Sequence, residues 1–394
     1  MRDIPLLLLA LSALVLAATW IGYPAWLELR ARALPRRRLG GRLVAWPTVT
    51  IVVVVRNAEP TLRQLLNNLL ALAYPADLRR ILVVSDASDD FTDAVAGSLA
   101  HRGVELLRVM RRRGEAGALN LARAYVDSDV VVVVEPGVRL TTSALAALVG
   151  PFADLSVGVS YGHEIETMHE TAFGRHEARL RDLETQVFST VSARGSLYAM
   201  RGPLFRFAIP SWLSPDFALA LLAREHGYRA VYVDGAECVV AAPAAFAPSH
   251  YARLVRSVAR DVATLLLKPH LLDPRRYGEF AWELLGHKLG RWLTPWALLT
   301  AALSLLLAAA THPWARIVVL ALAVLAAADA LAALLPRHLA LARLAELPRH
   351  AGMFLIAMAH ACVRAARTAA EFRSGALGYT DLLAPPGALE QGTA

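Results

Sequence analysis

The chain has 394 residues, 56% of them hydrophobic, and a formal net charge of +8. That apolar fraction is higher than a soluble globular chain usually shows, and it gathers in the first 27 residues and again after about residue 290, so an entirely soluble protein is excluded. Basic clusters at 30–42, 253–260 and 287–291 sit beside apolar segments, which suits anionic lipid headgroups and not nucleic acid. Cys238 and Cys362 lie far apart, so the sequence indicates neither a disulfide framework nor a metal knuckle.

Residues 4–21 carry no charge and approach the roughly 20 residues needed to cross a hydrocarbon core. Arg2 is cancelled by Asp3, whereas Arg30, Arg32, Arg36, Arg37, Arg38 and Arg42 follow the segment. Positive charge stays inside. The expectation is an uncleaved anchor over 1–27 with its N-terminus outside, then a basic cytoplasmic linker over 28–47.

Residues 48–245 read as an α/β domain. Residues 49–55 form a β-branched run, the mark of a strand buried on both faces. A helix with Leu62, Leu65, Leu66 and Leu69 on one face follows. Further strands are expected at 81–84, 104–107 and 130–134, with a helix at 115–125 between the last two. The alternation predicts a mainly parallel, doubly wound sheet, whose ligands bind beyond the carboxyl ends of the strands. Those ends carry Arg56-Asn57-Ala58-Glu59, then Ser85-Asp86-Ala87-Ser88-Asp89-Asp90, then Glu135-Pro136-Gly137. Acids converging on one edge call for a donor-rich ligand and a cation, such as a base or ribose hydroxyl with a divalent metal carrying a phosphate. Taken singly, each is equally a turn former.

In 246–290, Arg253, Arg256 and Arg260 share one helical face, opposite Leu254, Val258, Val262 and Leu265, as in an amphipathic helix at a membrane surface. In 291–372, residues 292–310 and 317–335 read as a hairpin of spans joined through Thr311-His312-Pro313-Trp314. Residues 353–363 are either a third span or an interfacial helix. Residues 373–394 form a flexible tail. His163, His169 and His176 lack matched ligand spacing and are read as structural. The sequence carries no signal for an oligomeric state.

A set of motifs in order gives a resemblance: Thr50-Ile-Val-Val-Val-Val-Arg-Asn-Ala-Glu59, Ile81-Leu-Val-Val-Ser-Asp-Ala-Ser-Asp-Asp90, Gly114-Glu-Ala-Gly-Ala-Leu-Asn120 and Val131-Val-Val-Val-Glu-Pro-Gly137. Ser189-Thr-Val-Ser-Ala-Arg-Gly-Ser-Leu-Tyr-Ala-Met-Arg201, Asp216-Phe217 and Arg224-Glu-His-Gly-Tyr-Arg-Ala-Val-Tyr232 follow. Together they resemble the family 2 glycosyltransferases of the GT-A fold, in the branch of processive and polyprenyl-linked membrane enzymes.

The resemblance implies an inverting transfer of sugar from a nucleotide-diphosphate sugar to a lipid-linked or glycan acceptor, on the cytoplasmic face of a bacterial inner membrane. It implies nucleotide contacts from Asn57, Glu59, Asp86, Arg113 and Asn120. It also implies a divalent metal, Mg or Mn, at Glu135, a general base at Asp216, and acceptor or diphosphate contacts at Gly195, Arg256 and Arg260. The match is imperfect. Glu135 replaces the first acid of the metal motif and Gly137 the second. Glu115 stands where relatives carry a lysine, with Arg111, Arg112 and Arg113 either compensating or forming a solvated turn. Pro215 replaces one of the paired acids. Asp127-Ser128-Asp129 spells the metal motif but lies before its strand, at the wrong edge. These departures keep open a catalytically degenerate member that acts as a partner subunit or nucleotide-sugar sensor. A transporter or scaffold is disfavoured by the few spans and the lack of a buried charge pair in them.

Overall fold

The structure, a computed structural model, describes residues 3–35, 45–166, 172–192, 195–207, 214–240, 248–332 and 346–373. The chain divides into two compact units. One comprises Leu27–Ala242, Leu267–Phe280 and Ala370–Ala394; the other comprises Met1–Trp26, Pro243–Leu266 and Ala281–Ala369.

The first unit is built on an eight-stranded sheet: β1 Val49–Val55, β2 Arg79–Asp86, β3 Val104–Val109, β4 Val130–Val134, β5 Arg139–Leu140, β6 Val157–Glu166, β7 Leu197–Arg201 and β8 Arg229–Val240. Their spatial order is β3-β2-β1-β4-β7-β6-β8-β5. β3, β2, β1 and β4 run parallel, as the alternating pattern predicts. β7 corrects that pattern, running antiparallel to both β4 and β6. Its entry end, at Leu197 opposite Val134, therefore lies at the edge where the parallel strands finish.

The period of two along β1 explains the layering. Val49, Ile51, Val53 and Val55 pack on one face with Leu62, Leu65, Leu66 and Leu69 of the helix Glu59–Leu70 and with Leu145 and Leu148. Val52 packs on the other face with Ala118, Leu119 and Ala122 of the helix Gly114–Ala122, and with Leu219, Ala220 and Ala223 of the helix Pro215–Glu225. Both faces are covered, so every strand residue of β4 is buried. The helix Tyr23–Ala33 ends in this unit, where Arg179 Nε donates to Glu28 at 2.9 Å and Arg30 pairs with Glu279.

Among the described residues, two helices are long and apolar enough to cross a membrane, Ile4–Ala33 and Glu279–Ala309, and most of each belongs to the second unit. The first thus runs past residue 27, and the second begins well before residue 292. Each contains one π-helical turn, Ala18–Gly22 and Leu285–Leu289. The two helices meet through small residues. A Cβ added to Gly286 would lie 2.1 Å from the Tyr23 ring, and one on Gly290 2.7 Å from Thr19 Oγ1. Trp20 Nε1 donates to Thr294 Oγ1 at 3.1 Å. Small residues four apart let helix axes approach closely, which drives packing where lipid removes the hydrophobic advantage. The outer surfaces keep Leu7, Leu14, Leu303 and Leu307 more than half exposed. The helix Pro313–Ala332 forms the hairpin arm. The apolar stripe of the helix Pro248–Leu267 does not all face outward: Leu254, Val255, Val258, Ala259 and Val262 pack against Ala357, Ala361 and Ala365. Those alanines belong to one long helix, Glu346–Arg373, which absorbs the apolar run at 353–363.

Candidate active site

The loops after β1 and β2 are knitted together. Asn57, at φ 49°, donates from its backbone to Ser88 Oγ at 3.2 Å, and its Oδ1 accepts from Asp89 N at 3.1 Å. Ala58 N donates to Thr92 Oγ1 at 2.8 Å and Glu59 N to Asp90 Oδ2 at 3.2 Å. Glu59 Oε2 accepts from Phe91 N at 3.3 Å. The hydrogen bond from Thr92 holds the Asp90 carboxyl below the usual carboxylate range. Ala87 sits at φ 54°, a left-handed conformation that is uncommon for residues with a Cβ and that clusters at ligand sites.

Asp86 joins this loop pair to the next element. Its Oδ1 accepts from Arg113 N at 2.7 Å and its Oδ2 from Gly114 N at 2.8 Å, at the start of the helix Gly114–Ala122. Asn57, Glu59, Asp86 and Arg113 are thus brought together. Asn120 lies further along the same helix. It lines a cavity of about 10 Å³ with Arg123, Tyr198, Phe205, Phe207 and Leu219, room for about one water. Burial lowers the Arg123 pKa to about 10, and its guanidinium lies 5.8 Å from the Phe205 ring centre.

The second group of acids meets around two consecutive residues, Gly195 and Ser196. Ser196 Oγ donates to Glu135 Oε2 at 2.8 Å, and Ser196 N donates to Glu164 Oε1 at 3.1 Å. A Cβ added to Gly195 would lie 3.6 Å from Asp216 Cγ. Asp216 begins the helix Pro215–Glu225, where its Oδ1 accepts from Ser214 Oγ and its backbone carbonyl accepts from the Tyr161 hydroxyl. Tyr161 pairs with Tyr198 across β6 and β7, ring centres 6.4 Å apart. Burial, then the charges of Glu115, Asp216, Tyr161 and Glu135, push the Tyr198 phenol well above its ordinary value.

Of the residues named from the sequence, Glu135, Gly195 and Asp216 lie together here, joined by Glu164, Ser196, Tyr161 and Tyr198, which were not singled out as site residues. The last four lie on or beside β6 and β7, and only the antiparallel insertion of β7 carries them to this edge. Arg256 and Arg260 are exposed on the helix Pro248–Leu267 of the other unit. Asp129 belongs to the opposite end of β4, where its Oδ2 accepts from Thr48 N at 2.9 Å and from Thr48 Oγ1 at 2.7 Å. His163 Nδ1 lies 2.8 Å from Asp234 Oδ1, and His169 is outside the described residues.

Among the described residues no three His, Cys, Asp or Glu side chains form a cage for a metal. Glu135 and Glu164, bridged by Ser196, instead offer two hard oxygen donors. Such a set fits Mg or Mn, which bind through one or two carboxylates and complete their shell with phosphate and water.

Residues 50–202 match the sequence model of the family described as Glycosyl transferase family 2. The beta-monoglucosyldiacylglycerol synthase of Synechocystis sp. is 30% identical over 120 residues, 29% of this chain and 25% of that relative. The synthase of the same description from Trichormus variabilis is 25% identical over 162 residues, 40% of this chain and 34% of the relative. The chain thus spans a quarter to a third of the length of these curated relatives. The mannosyltransferase of Pyrobaculum calidifontis, solved with GDP-Man and Mn2+, superimposes with a TM-score of 0.69 at 26% identity, covering 90% of this chain and 99% of that one. A sheet in this order, carrying its acids on one edge within the matched residues, identifies residues 50–202 as a glycosyl transferase family 2 domain and gives the chain the GT-A fold.

Proposed function

We propose that the chain is an inverting glycosyltransferase that moves a sugar from a nucleoside-diphosphate donor to the hydroxyl of a lipid-linked or glycan acceptor at a membrane. The observation that carries this reading is the meeting of Glu135, Glu164 and Asp216 around Gly195 and Ser196, on the sheet edge that also holds Asn57, Glu59 and Asp86. The relatives support it: one was solved with GDP-Man and Mn2+, and others are named for making a glucosyl lipid. The two apolar helices support the membrane setting, and the arginines that follow the first favour a cytoplasmic domain.

In this reading the cross-braced loops of Asn57, Glu59 and Asp86, with Arg113, receive the nucleoside. Glu135 and Glu164 would hold a divalent cation, which when bound supplies positive charge to the departing diphosphate. Asp216 takes the proton of the acceptor hydroxyl as the sugar carbon is attacked from the face opposite the diphosphate. A carboxylate suits the task if it lies within hydrogen-bond reach of that proton.

The test uses the full-length chain in detergent with GDP-mannose and UDP-glucose, with and without Mn2+, scoring nucleoside diphosphate release and calorimetric donor binding. Asp216→Asn is expected to bind donor and to lose transfer by at least about a hundredfold, the usual weight of a general base. Equal turnover by that variant removes Asp216 from the chemistry. A second reading, a degenerate sensor or partner subunit, draws on Gly137 and Pro215. Metal-dependent donor binding by the unaltered chain without any turnover would select it.

A further inference from the structure

Among the described residues, the Tyr198 hydroxyl is one of the buried side-chain groups with an unmade bond. Tyr198 is 1% exposed, and its hydroxyl, sealed from solvent, has no hydrogen-bond partner. Leaving a buried hydroxyl unpaired costs roughly 1–3 kcal/mol. The groups whose charges act on this phenol are Glu115, Asp216, Tyr161 and Glu135, in falling order. Those carboxylates come from three elements: the first turn of the helix Gly114–Ala122, the tip of β4 and the start of the helix Pro215–Glu225. Such carboxylates can only accept, so a donor stands unused among acceptors. Burial and the same charges push the phenol above its ordinary value, which favours its neutral O–H form.

The neighbouring tyrosine narrows the choice of acceptor. Tyr161 already donates to the backbone carbonyl of Asp216, and Ser214 reaches the Asp216 carboxylate from the residues just before it. Both fix the start of the helix. Glu115, by contrast, is exposed, and Glu135 already accepts from Ser196 Oγ at 2.8 Å. A carboxylate that must meet a reacting hydroxyl in one orientation gains from a second donor set at an angle to the first.

We propose that Tyr198 is a positioning residue for the transfer reaction: with substrates in the cleft, its hydroxyl donates to the Asp216 carboxylate and fixes the orientation in which that carboxylate meets the acceptor. This rests on the reading of Asp216 as the base. Tyr198→Phe keeps the ring and its packing and deletes only the donor.

With the full-length chain and the donor that turns over in the assay above, Tyr198→Phe is expected to lower kcat about tenfold and to leave the calorimetric Kd for donor within about twofold. In an Asp216→Glu background, whose longer side chain already misplaces the carboxylate, the same change is expected to have no further effect. A residue that served packing alone would lower kcat by the same factor in both backgrounds, and that result overturns the proposal. So does an unchanged kcat in the single variant. Turnover by Asp216→Asn would instead overturn the assignment of the base, and no turnover by the unaltered chain overturns both.

Discussion

Ser196 holds more of the candidate site than its size implies. Its hydroxyl and its amide address two different carboxylates, so Ser196→Ala removes the bond to Glu135 and keeps the one to Glu164. With GDP present, we expect Mn2+ to bind this variant about tenfold more weakly by calorimetry, the size of one charge-assisted hydrogen bond. Glu164→Gln should weaken it by a similar factor; an unchanged Mn2+ affinity would exclude Glu164 as a ligand. At this scale the sequence was half legible. Asp86 and Glu135 stood out because each follows a β-branched run. Glu164 and Tyr198 did not, because β6 and β7 carry ordinary alternating residues and their meeting depends on pairing across the sheet. The backbone at Ala87 was illegible too, since nothing in an alanine announces a positive φ.

Among the elements, the two long apolar helices make a sharp test. Tyr23 fills the space that any side chain at Gly286 would need. Gly286→Leu should lower stability by about 2 kcal/mol or more, read as thermal unfolding in detergent. In the other unit, Arg229 is 4% exposed at its side chain and Nη2 lies 2.9 Å from Asp154 Oδ2. Burial alone would raise the Asp154 carboxyl, but hydrogen bonds from Ser156 and the Arg229 pair outweigh it and hold it below the usual carboxylate range. A carboxyl depressed in the folded state adds stability that is present above its unfolded value of about 4 and is lost as pH falls through the folded value. Asp154→Asn should therefore cost about 1 kcal/mol at neutral pH, a figure reduced by the solvent around Asp154, and should flatten the acid limb of stability against pH. The strands β1 to β4 and the helix Glu59–Leu70 were legible from period alone. The stripe on the helix Pro248–Leu267 was legible as apolar but not as to what covers it, because Ala357, Ala361 and Ala365 lie about a hundred residues on.

For the molecule as a whole, composition gave the apolar segments at both ends and the alternation of strand and helix gave the α/β domain between them, while the nucleotide-sugar donor came only with the resemblance. The order of the sheet beyond β4 could not be read, since no local residue pattern reports that β7 enters between β4 and β6. If the helices Ile4–Ala33 and Glu279–Ala309 sit in lipid, the full-length protein should sediment with membranes, resist extraction by alkaline carbonate and be released by detergent. Release by carbonate would mean that these helices are packed only against protein.

Gly137 sits at φ 87°, and nothing lies within 4 Å of where a Cβ would be. Aspartate and asparagine enter left-handed backbone far more readily than other residues with side chains. The vacancy left in the metal motif is thus one that a single codon change could refill with an acid. A chain bearing Gly137→Asp would then report, by how much its affinity for Mn2+ changes, whether this position faces the proposed cation.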